Sequence, residues 1–100
     1  MEMETKRVVL GSNPGLNSLP DIPIACQRDR TVVLTPLKVL VMWPDRRPEA
    51  IRWLEEVIPH MILGVMPKVI LKAFWEMPPG SWWEFDFHRK TLSFCWIEKK

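Results

Sequence analysis

The C-terminal part of the chain alternates between apolar and polar residues, which is the pattern of β-strands with one buried face. Two such runs flank a short polar break, so the pattern predicts a β-hairpin with Arg89 and Lys90 at its tip. A two-residue tip sets the register, and opposite residues share a face. The predicted pairs are Phe87 with Leu92, Phe85 with Phe94 and Trp83 with Trp96 on a buried aromatic face, and Glu84 with Cys95 and Asp86 with Ser93 on a polar face.

Two helices are predicted in the middle of the chain, where the apolar residues recur with a period near 3.6. Each begins with a proline, Pro48 or Pro67, a residue that suits the first position of a helix. Pro59 ends the first helix, and the second is expected to run to Met77. The inner stripes are Ala50, Trp53, Leu54, Val57 and Ile58 in the first helix, and Ile70, Leu71, Phe74 and Met77 in the second.

The first 20 residues lack periodicity. Residues 1–20 are predicted to be a flexible N-terminal tail or loop, in which residues 8–10 could add a short strand. Two isolated leucines, Leu16 and Leu19, could hold this tail to the surface.

Strands are predicted after the tail. Residues 22–27 and 31–34 are expected to form a first hairpin, with Pro23 restricting the first strand to a sheet edge. Residues 35–43 fit either a helix, which Thr-Pro would begin, or a buried strand. The β-branched residues favour a strand over residues 37–43.

These elements predict an α+β fold. A small antiparallel sheet, made of the N-terminal strands and the C-terminal aromatic hairpin, is covered by two short helices. Residues 21–100 are expected to be a single domain, because a chain of 100 residues suffices for one core and is too short for two.

Composition and charge exclude little. The chain is 47% hydrophobic with a net charge of +2, and its basic residues lie in small separate clusters, which argues neither for nor against nucleic-acid binding.

Cys26 and Cys95 are predicted to be buried free thiols, with a disulfide between them as the alternative. Free thiols favour a cytoplasmic location. The longest uncharged apolar stretch, residues 57–67, is too short to span a bilayer, so no membrane is expected.

The residues with catalytic potential are not arranged for catalysis. His60 and His88 have no Cys, His or carboxylate at a catalytic or metal-binding spacing. The carboxylate pairs at positions 55 and 56 and at 84 and 86 are interpreted as surface charge. Phosphate-binding loops, nucleophile elbows and Cys-x-x-Cys motifs do not occur. The sequence therefore predicts a non-enzyme without cofactor or metal.

Six tryptophans are the unusual feature of the composition. Three have inward positions in the predicted elements, which leaves Trp43, Trp75 and Trp82 as candidate partner-binding residues or, alternatively, half-buried spacers. A Trp exposed beside Arg or Lys is typical of protein interfaces. The expected function is a small protein-binding module, an inhibitor or regulator of a larger partner of the kind that viruses or mobile elements encode, acting on another protein or by self-association.

The segment LTPLKVL, residues 34–40, resembles the start of the first helix in winged-helix domains of the response-regulator type. Those domains also place strands before the helices and a hairpin after them. The resemblance implies a nucleic-acid-binding regulator that uses the hairpin tip, Arg89 and Lys90, as a wing in a groove. In this alternative, Arg46 and Arg47 contact phosphates.

Overall fold

Five antiparallel strands and three short helices make up the fold of the computed structural model, which describes residues 2–99. The strands form one sheet in the order β1-β5-β4-β3-β2. This arrangement confirms the predicted α+β class. In chain order the elements are β1 (Met3–Ser12), α1 (Ile24–Arg28), β2 (Val32–Leu34), β3 (Val39–Met42), α2 (Pro48–Val57), a 3-10 turn (Ile58–His60), α3 (Pro67–Trp75), β4 (Trp82–Asp86) and β5 (Thr91–Lys99).

The predicted C-terminal hairpin is present as β4 and β5, but the predicted register was wrong by two residues. Phe85 lies opposite Leu92, and Trp83 lies opposite Phe94. The cause is a four-residue turn, residues 87–90, instead of a two-residue tip. The Asp86 carboxylate accepts hydrogen bonds from the backbone N–H groups of His88 and Arg89 at 2.8 and 3.1 Å, and so stabilises the longer turn.

The two faces of the sheet differ from the prediction in one respect. The helix-covered face holds the expected core, with Trp83, Phe85 and Leu92 at 1% exposure or less, packed against both long helices. The opposite face was predicted to be polar, yet Cys95 on that face is fully buried. Its thiol donates a hydrogen bond to the Glu84 carboxylate, with Sγ and Oε2 2.9 Å apart.

Both long helices form as predicted. Pro48 and Pro67 occupy first-turn positions, and each follows a residue with extended backbone. The inner stripe of α2 is buried throughout, from Ala50 to Val57. Helix α3 ends at Trp75 and not at Met77, which is only partly buried against the core.

The N-terminal strand is the largest departure from the prediction. A short strand was expected at most over residues 8–10 of the tail, and that strand is present, but β1 extends over residues 3–12 and pairs along the whole of β5, with Met3 opposite Lys99 and Ser12 opposite Thr91. The remainder of that segment behaves as expected, because Leu16 and Leu19 are partly buried against the core.

The predicted first hairpin was also wrong. Residues 24–28 form helix α1, with Pro23 immediately before it, and β2 pairs instead with β3. The turn between β2 and β3 contains Lys38 with a φ of 62°, and the Thr35 hydroxyl accepts a hydrogen bond from Val39 N–H at 3.2 Å. Residues 34–40 are therefore the end of a strand, a turn and the start of the next strand. The helix implied by the winged-helix resemblance does not form there.

Candidate functional site

Two of the three candidate tryptophans lie together at one end of the sheet. Trp43 directly follows β3 and Trp82 begins β4, and the antiparallel pairing of these strands brings the two side chains to the face that no helix covers. Their ring centroids are 6.5 Å apart with the planes inclined by 39°. Both rings are half-buried. The pair therefore presents a continuous aromatic surface, part of which is in contact with solvent.

The third candidate, Trp75, lies on the helix-covered side of the sheet, next to Phe74, whose ring packs against Trp83. Trp75 ends α3 and packs edge-on against Phe74, with centroids 5.2 Å apart. Arg46, in the loop that follows Trp43, places its guanidinium carbon 5.5 Å from the centre of the Trp75 ring, within the range of a cation–π contact. Trp75 is half-buried and Arg46 is exposed. We call Trp43, Arg46, Trp75 and Trp82 the tryptophan end.

The loop that carries Trp43 and Arg46 is held by an ion-pair network around Arg47. The Arg47 guanidinium donates to the Asp45 carboxylate at 2.8 and 2.5 Å and also pairs with Asp29. Thr31 adds two bonds, because its hydroxyl donates to Asp45 at 2.8 Å and its carbonyl accepts from Trp43 N–H at 2.9 Å. The hydrogen bonds from Arg47 lower the pKa of Asp45 to about 2. This network fixes the direction in which the loop presents Trp43 and Arg46.

The four residues proposed for nucleic-acid contact do not form one surface. Arg46 and Arg47 lie near the start of β4, whereas Arg89 and Lys90 lie in the turn after its end, about 13 Å or more away along the strand. Arg47 is engaged with two carboxylates. Lys90 is half-buried, and its ammonium donates to the Leu16 carbonyl at 2.7 Å. Arg46 and Arg89 remain as exposed cations at separate places.

The histidines and cysteines also lie apart from one another. His60 and His88 are exposed at different turns, and the described residues contain no group of three His, Cys, Asp or Glu side chains that could hold a metal ion. Cys26 and Cys95 are free and buried, as predicted. Burial and the neighbouring Glu84 carboxylate raise the pKa of Cys95 to about 12, so this thiol stays protonated and unreactive in the folded protein.

The surroundings of two side chains, Glu84 and Arg46, were not predicted. Glu84 was interpreted as surface charge, but only 16% of its side chain is exposed, and it pairs with Arg7 from β1 at 3.4 Å as well as with Cys95. Arg46, the candidate for phosphate contact in the nucleic-acid alternative, has its guanidinium carbon 5.5 Å from the centre of the Trp75 ring. The only sequence signal for the contact between Arg46 and Trp75 is the excess of tryptophan near a cluster of arginines.

Comparisons of the chain with protein-family models, with curated proteins and with solved structures gave no match. None of the helices in residues 2–99 has the length and apolar character needed to cross a membrane.

Proposed function

We propose that the chain is a small, non-enzymatic protein-binding module and that the tryptophan end contacts its partner. The observations that support this proposal are the half-buried pair of Trp43 and Trp82 and, in the loop that follows Trp43, the exposed Arg46 beside half-buried Trp75. Tryptophan and arginine are the residues most enriched among the few that dominate binding energy at protein interfaces. Each Å² of apolar ring surface that a partner removes from water stabilises the complex by about 25 cal/mol.

The position of these side chains also suits binding. The Arg47 network and the packing of Phe74 hold the loop and the helix end, so little side-chain freedom is lost when a partner docks. The Arg46 guanidinium, whose carbon lies 5.5 Å from the centre of the Trp75 ring, can still donate hydrogen bonds to a partner. We therefore infer a partner surface that offers an apolar pocket beside a carboxylate.

Nucleic-acid binding has less support as the alternative. Two of its four candidate residues, Arg47 and Lys90, already bond to groups of the chain itself. A nucleic-acid complex should weaken steeply with added salt, whereas binding through indoles should change little.

The test is affinity capture from the native host with matched variants, followed by mass spectrometry. Trp82→Ala and Arg46→Ala should lose the captured protein while circular dichroism and the melting temperature show a folded chain. Phe87→Ala is the matched control, because this aromatic ring is also half-buried but follows the opposite end of β4, against Phe85 with centroids 5.2 Å apart. It should retain capture, as should His60→Ala.

Two results would contradict the proposal. One is equal capture by wild type, Trp82→Ala and Arg46→Ala. The other is recovery of nucleic acid whose binding falls with salt and depends on Arg89, which would favour the alternative.

Once a protein partner is purified, the dissociation constants of all variants can be compared. Substitution of an anchor residue is expected to weaken binding by about 30-fold or more.

A further inference from the structure

Strand β1 is a long sheet edge with exposed apolar side chains. It runs for ten residues at the margin of the sheet, and Met3, Val8 and Val9 are 61%, 51% and 60% exposed. A backbone hydrogen bond reaches β1 from outside the sheet at the far end of the strand, from Leu63 N–H to the Ser12 carbonyl. The outer edge before that point offers backbone donors and acceptors to another strand.

We propose that this edge pairs with the same strand of a second copy, antiparallel about a two-fold axis through Thr5. This inference is independent of the function proposed for the tryptophan end, which involves other residues. The occupant is inferred from charge complementarity along β1 and from the position of a bulge. Both restrict the registers that two copies can adopt.

The possible registers are few. In an antiparallel pair of strands, opposite residues lie on the same face of the sheet. A two-fold axis perpendicular to the sheet satisfies this only if it passes between one residue and the same residue of the second copy. An axis at Glu4, Lys6 or Arg7 would place that residue opposite its own like charge, and an axis at Met3 would place Glu2 opposite Glu4, which is destabilising in each case. The register of β1 against β5 shifts between Val9 and Gly11, so an axis at Val8 would meet this bulge after one further residue.

An axis at Thr5 avoids both problems. It places Glu4 of each copy opposite Lys6 of the other copy. It also places Thr5 opposite Thr5 of the second copy, and two threonines form a favourable cross-strand pair. Glu4 and Lys6 already form an ion pair within the strand, with Lys6 Nζ 3.3 Å from Glu4 Oε2. In the dimer these four side chains would form a ring of alternating charge. The ladder would use residues 2–8, all before the bulge.

The charges give a test by mixing two variants. Glu4→Lys leaves two cations on this face and Lys6→Glu leaves two anions, so each variant alone should raise the dimer dissociation constant about tenfold or more. Combined in equal amounts, they should form a heterodimer in which every opposite pair is complementary, within about threefold of wild-type affinity. Sedimentation equilibrium over a range of concentrations measures both effects, and circular dichroism confirms that each variant is folded.

A cysteine at the axis gives a second, independent readout. In the proposed register the two copies of residue 5 have Cα atoms about 4.5–5.5 Å apart, within reach of a disulfide. Thr5→Cys should therefore form a covalent dimer on mild oxidation. Val9→Cys is the matched control, because it is exposed on the same strand and face, but its two copies would lie about 26 Å apart.

The proposal is supported by a wild-type dimer, a heterodimer in the mixture and selective crosslinking through residue 5. It is overturned if the wild type stays monomeric at millimolar concentration, which would leave the edge to a strand of another protein. It is equally overturned by a dimer that neither charge change weakens, or by crosslinking at residue 9 as fast as at residue 5.

Discussion

Gly11 of β1 faces Ile62, in the segment that follows α2. A Cβ atom on Gly11 would lie 2.3 Å from Cγ1 and 2.6 Å from Cδ1 of Ile62, well inside contact distance. Ile62 is 4% exposed, and its neighbour Leu63 is bonded to Ser12, so the isoleucine has little room to move. Gly11→Ala should therefore lower the free energy of unfolding by about 1–3 kcal/mol, as is usual for overpacking.

A second substitution separates this contact from other effects. Ile62→Ala removes both clashing atoms and leaves only Cβ, at 3.7 Å, an ordinary contact distance. Alone it should cost about 2–5 kcal/mol. In the Ile62→Ala background, Gly11→Ala should be neutral or should stabilise by up to about 1 kcal/mol, because alanine restricts the unfolded chain. The double-mutant cycle should thus give a coupling of about 1–3 kcal/mol.

Urea unfolding followed by tryptophan fluorescence measures the four free energies. Gly15→Ala is the control, since the nearest atom to its Cβ would be Asn13 Oδ1 at 3.5 Å, and it should change stability by no more than about 0.5 kcal/mol. If Gly11→Ala cost the same with and without the Ile62 side chain, contact with Ile62 would not be the cause, and the docking of this segment on β1 would be refuted.

Three further predictions concern the core, the thiols and acid stability. Phe85→Ala should cost about 3–5 kcal/mol of unfolding free energy because Phe85 is fully buried; a cost below about 1 kcal/mol would contradict this packing. Thiol titration should detect Cys26 and Cys95 only after denaturation, and rapid reaction of both in the native protein would contradict their burial. The pKa of Asp45 is lowered from 3.8 to about 2, so its ionised carboxylate raises the free energy of unfolding by about 1–2 kcal/mol after allowance for solvent screening. This stabilisation is present above pH 4 and is lost as the pH falls through 2. Asp45→Asn should remove this contribution at pH 7 and flatten the acid limb of the stability curve, whereas Asp21→Asn, in an exposed loop, should do neither.

The elements that could be predicted are those with a strong local signal. Helices α2 and α3 have apolar stripes over two or more turns and prolines at their starts, and β4 and β5 alternate in polarity. The register of the hairpin could not be predicted from that alternation, because shifting one strand by two residues keeps every side chain on its face. The turn decides it, and the turn depends on the Asp86 carboxylate bonding two backbone N–H groups.

Helix α1 and most of strand β1, outside residues 8–10, were missed for two different physical reasons. The sequence of β1 does not alternate, because an edge strand that is exposed on both faces has no need of an apolar side. Its partner β5 lies at the other end of the chain, so no local pattern indicates the pairing. Helix α1 has five residues, too few for a period of 3.6 to show, and Pro23 suits a strand edge as well as a helix start.

The candidate site was predictable in its residue types but not in its contacts. The surplus of tryptophan pointed to Trp43, Trp75 and Trp82, and the structure pairs Trp43 with Trp82 and places Arg46 beside Trp75. The sequence could not show which arginine is available to a partner, because Arg46 and Arg47 are adjacent. Arg47 is taken up by Asp29, 18 residues earlier, through a contact that only the tertiary fold creates.

The two proposals together define the geometry of a possible assembly. A two-fold axis through Thr5 is perpendicular to the sheet, so both Trp43–Trp82 pairs would face the same side of a ten-stranded sheet. The β4 strands would lie about 24 Å apart and the β3 strands about 34 Å apart, which permits two contacts with a dense partner surface. Glu4→Lys should then reduce retention on such a surface through loss of avidity, while its affinity for the partner in solution stays unchanged. Trp82→Ala should reduce both, and a fall in solution affinity for Glu4→Lys would show that β1 itself contacts the partner.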